Sequence, residues 1–153
     1  MKKTIIILAA LLLAGCATPI EGLPTGLPDS VEHEATPFFP QTAYQCGPAA
    51  LATVLAALGL PADPAQLAEQ VFLPARTGTL QIEMMAGARR HGAVATRIAP
   101  TLAAALHEVR AGHPVVVLQN LGLSWLPLWH YAVLVGYDTA EGTVMLRSGR
   151  FKV

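Results

Sequence analysis

Apolar and polar positions change rhythm several times along this chain. Thr4 to Leu13 is an almost unbroken apolar run behind Met1-Lys2-Lys3. Residues 17–37 show no period: Pro19, Pro24, Pro28 and Pro37 are interspersed with Gly22, Gly26 and scattered acids, which predicts an extended tether. From Phe38 the composition turns apolar. Ala49 to Leu58 is rich in alanine and leucine and stops at Gly59, predicting a helix. Asp63-Pro64 supplies an N-cap followed by proline at the first helical position, so a second helix is expected to about Phe72. Leu80 to His91, closed by Gly92, and Leu102 to Ala111, closed by Gly112, predict two more.

The pattern then becomes that of a sheet. Pro114 to Gln119 is short and β-branched, and His130 to Tyr137 is a second such run. Asp138 to Gly142 predicts a turn, after which Thr143 to Arg147 returns as a hairpin partner. Val94 to Ile98 is expected as an additional strand between the last two helices. By hydropathy Pro114 to Tyr137 resembles a membrane span, but Gln119, Asn120, Pro127 and His130 interrupt it, and two buried strands joined by a loop account for it better. Helices first and an antiparallel sheet after is the order of an α+β domain.

Composition narrows the function. The chain has 153 residues, of which 13% are charged, about half the usual ~25%, which excludes a disordered or nucleic-acid-coating protein. Lys plus Arg and Asp plus Glu are 10 each, so no basic field exists to hold phosphate backbones. The length suits one domain of ~100–150 residues. No Gly-x-x-x-x-Gly-Lys-Ser/Thr occurs, so ATP binding is not expected; without His-x-x-x-His or Cys-x-x-Cys, neither is a metal or other cofactor.

Part of the apolar excess belongs to targeting. A positive start, a short apolar run and the small residues of Leu13-Ala14-Gly15-Cys16 describe a secretory signal, with Cys16 where the cut should fall. The run is too short to span a bilayer, which needs ~20 residues. Leu13-Ala14-Gly15-Cys16 resembles the lipobox of bacterial lipoproteins, in which the cysteine receives diacylglycerol and becomes the mature N-terminus; an ordinary signal with a chance cysteine is the alternative. Lipidation would leave Cys46 as the one free thiol, with no second cysteine in the sequence to form a staple in an exported domain.

Cys46 directly precedes Gly47-Pro48 and the Ala49–Leu58 helix, so its sulfur is expected at a helix N-terminus, where unpaired N–H groups favour a thiolate. A buried, inert cysteine is the competing interpretation. A thiolate nucleophile needs a base that later protonates the leaving amine, and His130, opening an apolar strand, is the best placed histidine. His33 lies in the expected tether, His91 and His107 on helices, and His113 in a turn.

The segment Phe38-Phe39-Pro40-Gln41-Thr42-Ala43-Tyr44-Gln45-Cys46-Gly47-Pro48-Ala49-Ala50-Leu51 resembles the active-site cysteine segment of bacteriocin-processing peptidases, the papain-like domains that cut double-glycine leaders. His130-Tyr131-Ala132-Val133-Leu134-Val135-Gly136-Tyr137-Asp138 resembles their histidine strand, and Gly78 to Met84 and Gly112 to Val117 are weaker shared landmarks. The likeness covers about residues 38–148 and is nearest to stand-alone lipoprotein members in Gram-negative bacteria. It implies a papain-like fold with N-terminal helices packed on an antiparallel sheet, Cys46 as nucleophile and His130 as general base. Gln41 would donate to the oxyanion beside the Cys46 N–H, although it lies five residues before the cysteine rather than the family's six. The family's orienting aspartate or asparagine has Ser148 near its place, while Asp138 is expected to form the hairpin turn.

Three activities follow as expectations: a membrane-anchored thiol peptidase acting on a peptide or protein, a catalytically weak module that binds peptides or an envelope protein, and acyl or amide transfer by the same dyad. Trp125 and Trp129, in the loop before His130, either wall the cleft or pack the loop. Ala17, by resemblance to sorting signals that retain lipoproteins through aspartate, points to the periplasmic face of the outer membrane. The chain stops at Phe151-Lys152-Val153 directly after a strand, so a partial domain, 38–153, is expected behind a signal at 1–15 and a tether at 16–37.

Overall fold

The computed structural model describes residues 26–41, 44–149 and 151–152; the signal segment and Cys16 lie outside them. Four α-helices are present among these residues: α1 (Cys46–Ala57), α2 (Pro64–Val71), α3 (Gln81–Arg90) and α4 (Leu102–Arg110), with a short 3-10 turn at Pro74–Arg76. Five strands form one antiparallel sheet: β1 (Ser30–Glu32), β2 (Val115–Asn120), β3 (Trp129–Asp138), β4 (Thr143–Ser148) and β5 (Phe151–Lys152). The α+β order is as expected, and it has the layout of a papain-like domain.

Local chemistry explains most boundaries. The Asp63 carboxylate accepts from the Ala65 N–H at 2.9 Å, capping α2 with Pro64 in its first turn. The Thr101 hydroxyl accepts from the Ala104 N–H and does the same for α4. Helix α1 begins at Cys46 rather than Ala49, because Gly47 and Pro48 are accommodated in its first turn. The strand expected at Val94–Ile98 is absent. Val94 is 91% exposed, and only Ala93 and Ala95 pack on the core, so the segment runs as an extended connection with its Ala95 carbonyl taken by Arg89.

Strand β3 is the centre of the sheet. One of its edges pairs with β1 at Gly136–Asp138 and with β2 at Trp129–Leu134, and the other pairs with β4. It is buried on both faces, which is why its sequence reads as a continuous apolar run. Tyr131, Val133 and Val135 pack against Leu51, Leu55, Leu67, Val71 and Met84 of α1 to α3. Leu134 and Tyr137 instead meet Leu106 and Val109 of α4. Strict alternation would put Tyr137 with Val135; a bulge against β4 between Leu134 and Gly136 turns it to the opposite face. Burying each such side chain contributes roughly 1.5–3 kcal/mol before chain entropy is counted.

The expected tether is partly built into the domain. Ser30–Glu32 pairs with β3, the His33 N–H donates to the Val135 carbonyl at 2.9 Å, and His33 Nε2 donates to the Val109 carbonyl at 2.7 Å. Gly136 permits this approach, since a Cβ there would lie 2.6 Å from the Val31 carbonyl oxygen. Residues 26–37 therefore hold β3 and α4 together. No helix among the described residues is long and apolar enough to cross a membrane.

Candidate active site

Cys46 is the first residue of α1, so its backbone N–H has no carbonyl one turn earlier within the helix to receive it, and its side chain stands at the positive end of the helix. The chain enters this position through Tyr44, whose φ of 63° lies in the left-handed region that non-glycine residues occupy at a cost of about 1–3 kcal/mol. Gly47 then sits against Thr79: a Cβ on Gly47 would be 2.6 Å from both the Thr79 Cβ and Oγ1. Thr79 thus braces the turn that carries the thiol.

His130 occupies the sheet end of this site, one residue into β3. Extending the register one step from Val133 opposite Arg147 sets Ser148 a diagonal step away on β4. His130 Nε2 and Ser148 Oγ are hydrogen-bonded at 2.9 Å. Nδ1 carries no hydrogen bond among the described residues, and His130 lines the same cleft as Cys46. Burial holds the imidazole below its ordinary value of 6.5, favouring the neutral ring. No carboxylate among the described residues is hydrogen-bonded to it. Asp138 is committed elsewhere, its Oδ1 accepting from the Ala140 and Glu141 N–H groups at 2.9 and 2.8 Å, in the turn expected for it.

A cleft of about 200 Å³ brings these parts together. Its polar lining is Gln41, Cys46 and His130, and its apolar lining is Tyr44, Leu121, Leu128 and Trp129. Gln41 is pinned just past the end of β4 by its backbone N–H, which donates to the Gly149 carbonyl at 2.9 Å, beside Ser148. Cys46, His130 and Gln41 thus share one cavity, with Ser148 behind the ring. Trp129 lines the cleft, whereas Trp125 is outside it and 76% exposed.

Leu121 and Leu128, supplied by the β2–β3 loop, were not anticipated, and neither were two tyrosines. Tyr44 walls the cleft, and its adjacency to Cys46 is the only signal the sequence carries for it. The buried Tyr131 phenol is pushed above its ordinary value of 10, first by burial and second by the charge of an ionised Cys46, so it remains a neutral neighbour of the thiol. Among the described residues no group of three or more His, Cys, Asp or Glu can hold a metal ion. The chemistry available is that of a thiol at a helix N-terminus and a neutral imidazole opening on the same cleft.

The family described as Peptidase_C39 like family matches residues 33–147, an interval that contains Gln41, Cys46 and His130 and ends one residue before Ser148. No curated protein and no solved structure matches the chain.

Proposed function

The chain belongs to the Peptidase_C39 like family, and on that footing we propose that it is a thiol peptidase acting through Cys46 and His130. The observation that carries this reading is the shared cleft, in which a helix-terminal cysteine and a strand-borne histidine meet beside Gln41. His130 Nδ1 takes the Cys46 thiol proton as the sulfur attacks a peptide carbonyl carbon. The carbonyl oxygen becomes an oxyanion, stabilised by the Cys46 backbone N–H and the Gln41 side-chain amide. As the tetrahedral intermediate collapses, the C–N bond breaks and the imidazolium returns its proton to the leaving amine. Water, deprotonated by the same ring, then attacks the thioester, releasing the acid and restoring the thiol.

Ser148 fixes the ring from behind without supplying the negative charge that a carboxylate would add. This substitution supports a second reading, a slow enzyme or a module that chiefly binds peptides. The two separate on Cys46 reactivity: iodoacetamide should label the wild-type protein faster than free cysteine near neutral pH, and His130→Ala should slow that labelling. Cys46→Ala should abolish labelling and peptide cleavage while retaining the native circular dichroism spectrum. A folded wild type whose thiol resists alkylation would leave the binding module standing.

The place of action proposed is the periplasmic face of the outer membrane, reached by lipid on Cys16. Labelled fatty acid should appear on the wild-type chain and be missing from Cys16→Ser.

A further inference from the structure

The connection between β2 and β3 presents a run of exposed large apolar side chains. Residues 121–129 read Leu-Gly-Leu-Ser-Trp-Leu-Pro-Leu-Trp and contain no charge. Leu121, Leu128 and Trp129, at the base, line the cleft and have its substrate as an occupant. Leu123, Trp125 and Leu126, at the tip, do not line the cleft, yet they are 56%, 76% and 63% exposed. Three large apolar side chains presented together to solvent mark an interaction surface.

The tip is an ordered hairpin whose backbone polar groups are largely satisfied from within. Leu123 and Leu126 exchange N–H to carbonyl bonds at 3.1 Å in both directions, and the Leu121 N–H donates to the Leu128 carbonyl at 2.8 Å. Asn120 Oδ1 accepts from the N–H groups of Gly122 and Leu128, both at 2.9 Å. Gly122 makes this folding possible, since a Cβ there would stand 2.4 Å from the Leu126 carbonyl oxygen. Internal pairing of backbone groups is the condition for leaving water, and tryptophan with leucine is the composition favoured at the lipid–water boundary.

We infer that the Leu123–Leu126 tip inserts into the facing leaflet of a lipid bilayer, holding the cleft mouth close to the membrane surface. The inference rests on the proposed lipid anchor for its geometry. Gly26, held by Arg110 at the end of α4, follows Cys16 by ten residues, at most about 35 Å of chain. From that end of the domain, β2 and the hairpin extend the chain roughly 30 Å to Trp125, at the usual rise per residue of a strand. The anchor's reach is therefore of the same order as the length of chain that separates that end from the tip, and an uncharged surface suits hydrocarbon rather than a charged partner.

Trp125 and Trp129 are the only tryptophans of the chain, so intrinsic fluorescence reports this loop alone. The test uses the full chain carrying Trp129→Phe, with Cys16 intact or changed to serine, mixed with phosphatidylcholine vesicles whose acyl chains are brominated or not. The expected result in both backgrounds is a blue shift of Trp125 emission and its quenching by the brominated lipid. Leu123→Ser with Leu126→Ser should reduce vesicle partitioning of the Cys16→Ser chain at least about tenfold. Emission that stays at the wavelength of exposed tryptophan, open to acrylamide in the presence of vesicles, overturns the inference. Shielding of Trp125 by acetyl-Leu-Leu-norleucinal in the absence of lipid, without bromine quenching when lipid is present, also overturns it and assigns the tip to substrate. Fatty acid labelling decides the anchor separately: an acylated Cys16 with an unquenched Trp125 defeats only the insertion.

Discussion

His130 Nε2 and Ser148 Oγ lie 2.9 Å apart, so the imidazole is oriented by a neutral hydroxyl at a place where a carboxylate would also raise its basicity. The contact fixes the ring while burial alone sets the direction of its pKa shift.

Ser148→Asp is therefore expected to change chemistry rather than fold. An aspartate at hydrogen-bond distance favours the imidazolium, so the His130 pKa should rise by about 1–3 units and the acid limb of kcat/KM should move to higher pH by a similar amount. Turnover on the plateau above that limb should increase, because the stronger base accepts the thiol proton more readily. Ser148→Ala should lower kcat with little effect on thermal stability, because it frees the ring without removing core. An acid limb identical in wild type and both variants would separate Ser148 from the reaction.

The ionisation of His130 also predicts a pH-dependent stability. Its folded pKa is lowered by burial below the unfolded value of about 6.5, so between the two the unfolded chain binds more protons. Stability is consequently full above about pH 6.5 and falls as the pH drops through the window below it. Urea midpoints measured from pH 7.5 to 5 should decline less in His130→Gln than in wild type. Equal declines would show that other groups govern the acid side.

Gln41 is positioned through its own backbone, bonded to Gly149, while its side chain remains available in the cleft. If its amide stabilises the oxyanion, Gln41→Ala should reduce kcat by about 10²–10³ and leave KM nearly unchanged. Gln41→Glu should be as damaging, since it removes the donor and adds a negative charge. A loss confined to KM would make Gln41 a substrate-binding residue instead.

Much of this arrangement is legible in the sequence because it is local. The cap at Asp63, glycine stops at Gly59, Gly92 and Gly112, and the β-branched runs at Val115 and His130 each act within a few residues. What was hidden depends on partners distant in the chain. Ser30–Glu32 is too short and polar to announce a strand, and it becomes one because the Gly136 backbone is open to it. Val94–Ile98 has the composition of a strand but packs on the core only through Ala95, beside Ala93. The bulge that turns Tyr137 away from Tyr131 is marked only by Gly136, a single glycine inside an otherwise apolar run. In the cleft, the Cys-Gly-Pro and His-Tyr segments were readable, whereas the wall formed by Leu121 and Leu128 requires the folded β2–β3 loop.

The last prediction concerns the turn under Cys46. Thr79 occupies the space of a missing Cβ on Gly47, and its Oγ1 is buried without a hydrogen-bond partner among the described residues. The fold thus accepts an unsatisfied hydroxyl to keep a branched side chain against the first turn of α1. Gly47→Ala must displace either Thr79 or that turn, because the overlap involves the Thr79 Cβ rather than a movable tip. The expected cost is about 1–3 kcal/mol of overpacking, with a fall in kcat beyond what the lost stability explains, as the Cys46 sulfur moves with the turn. Thr79→Gly in the Gly47→Ala background should recover part of the activity, while Thr79→Val in the wild-type background should keep or raise stability by removing the orphan hydroxyl. Urea denaturation and peptide cleavage across this double-mutant cycle give the coupling between the two positions. Additive losses would mean that Thr79 fills space beside Gly47 without holding Cys46 in place.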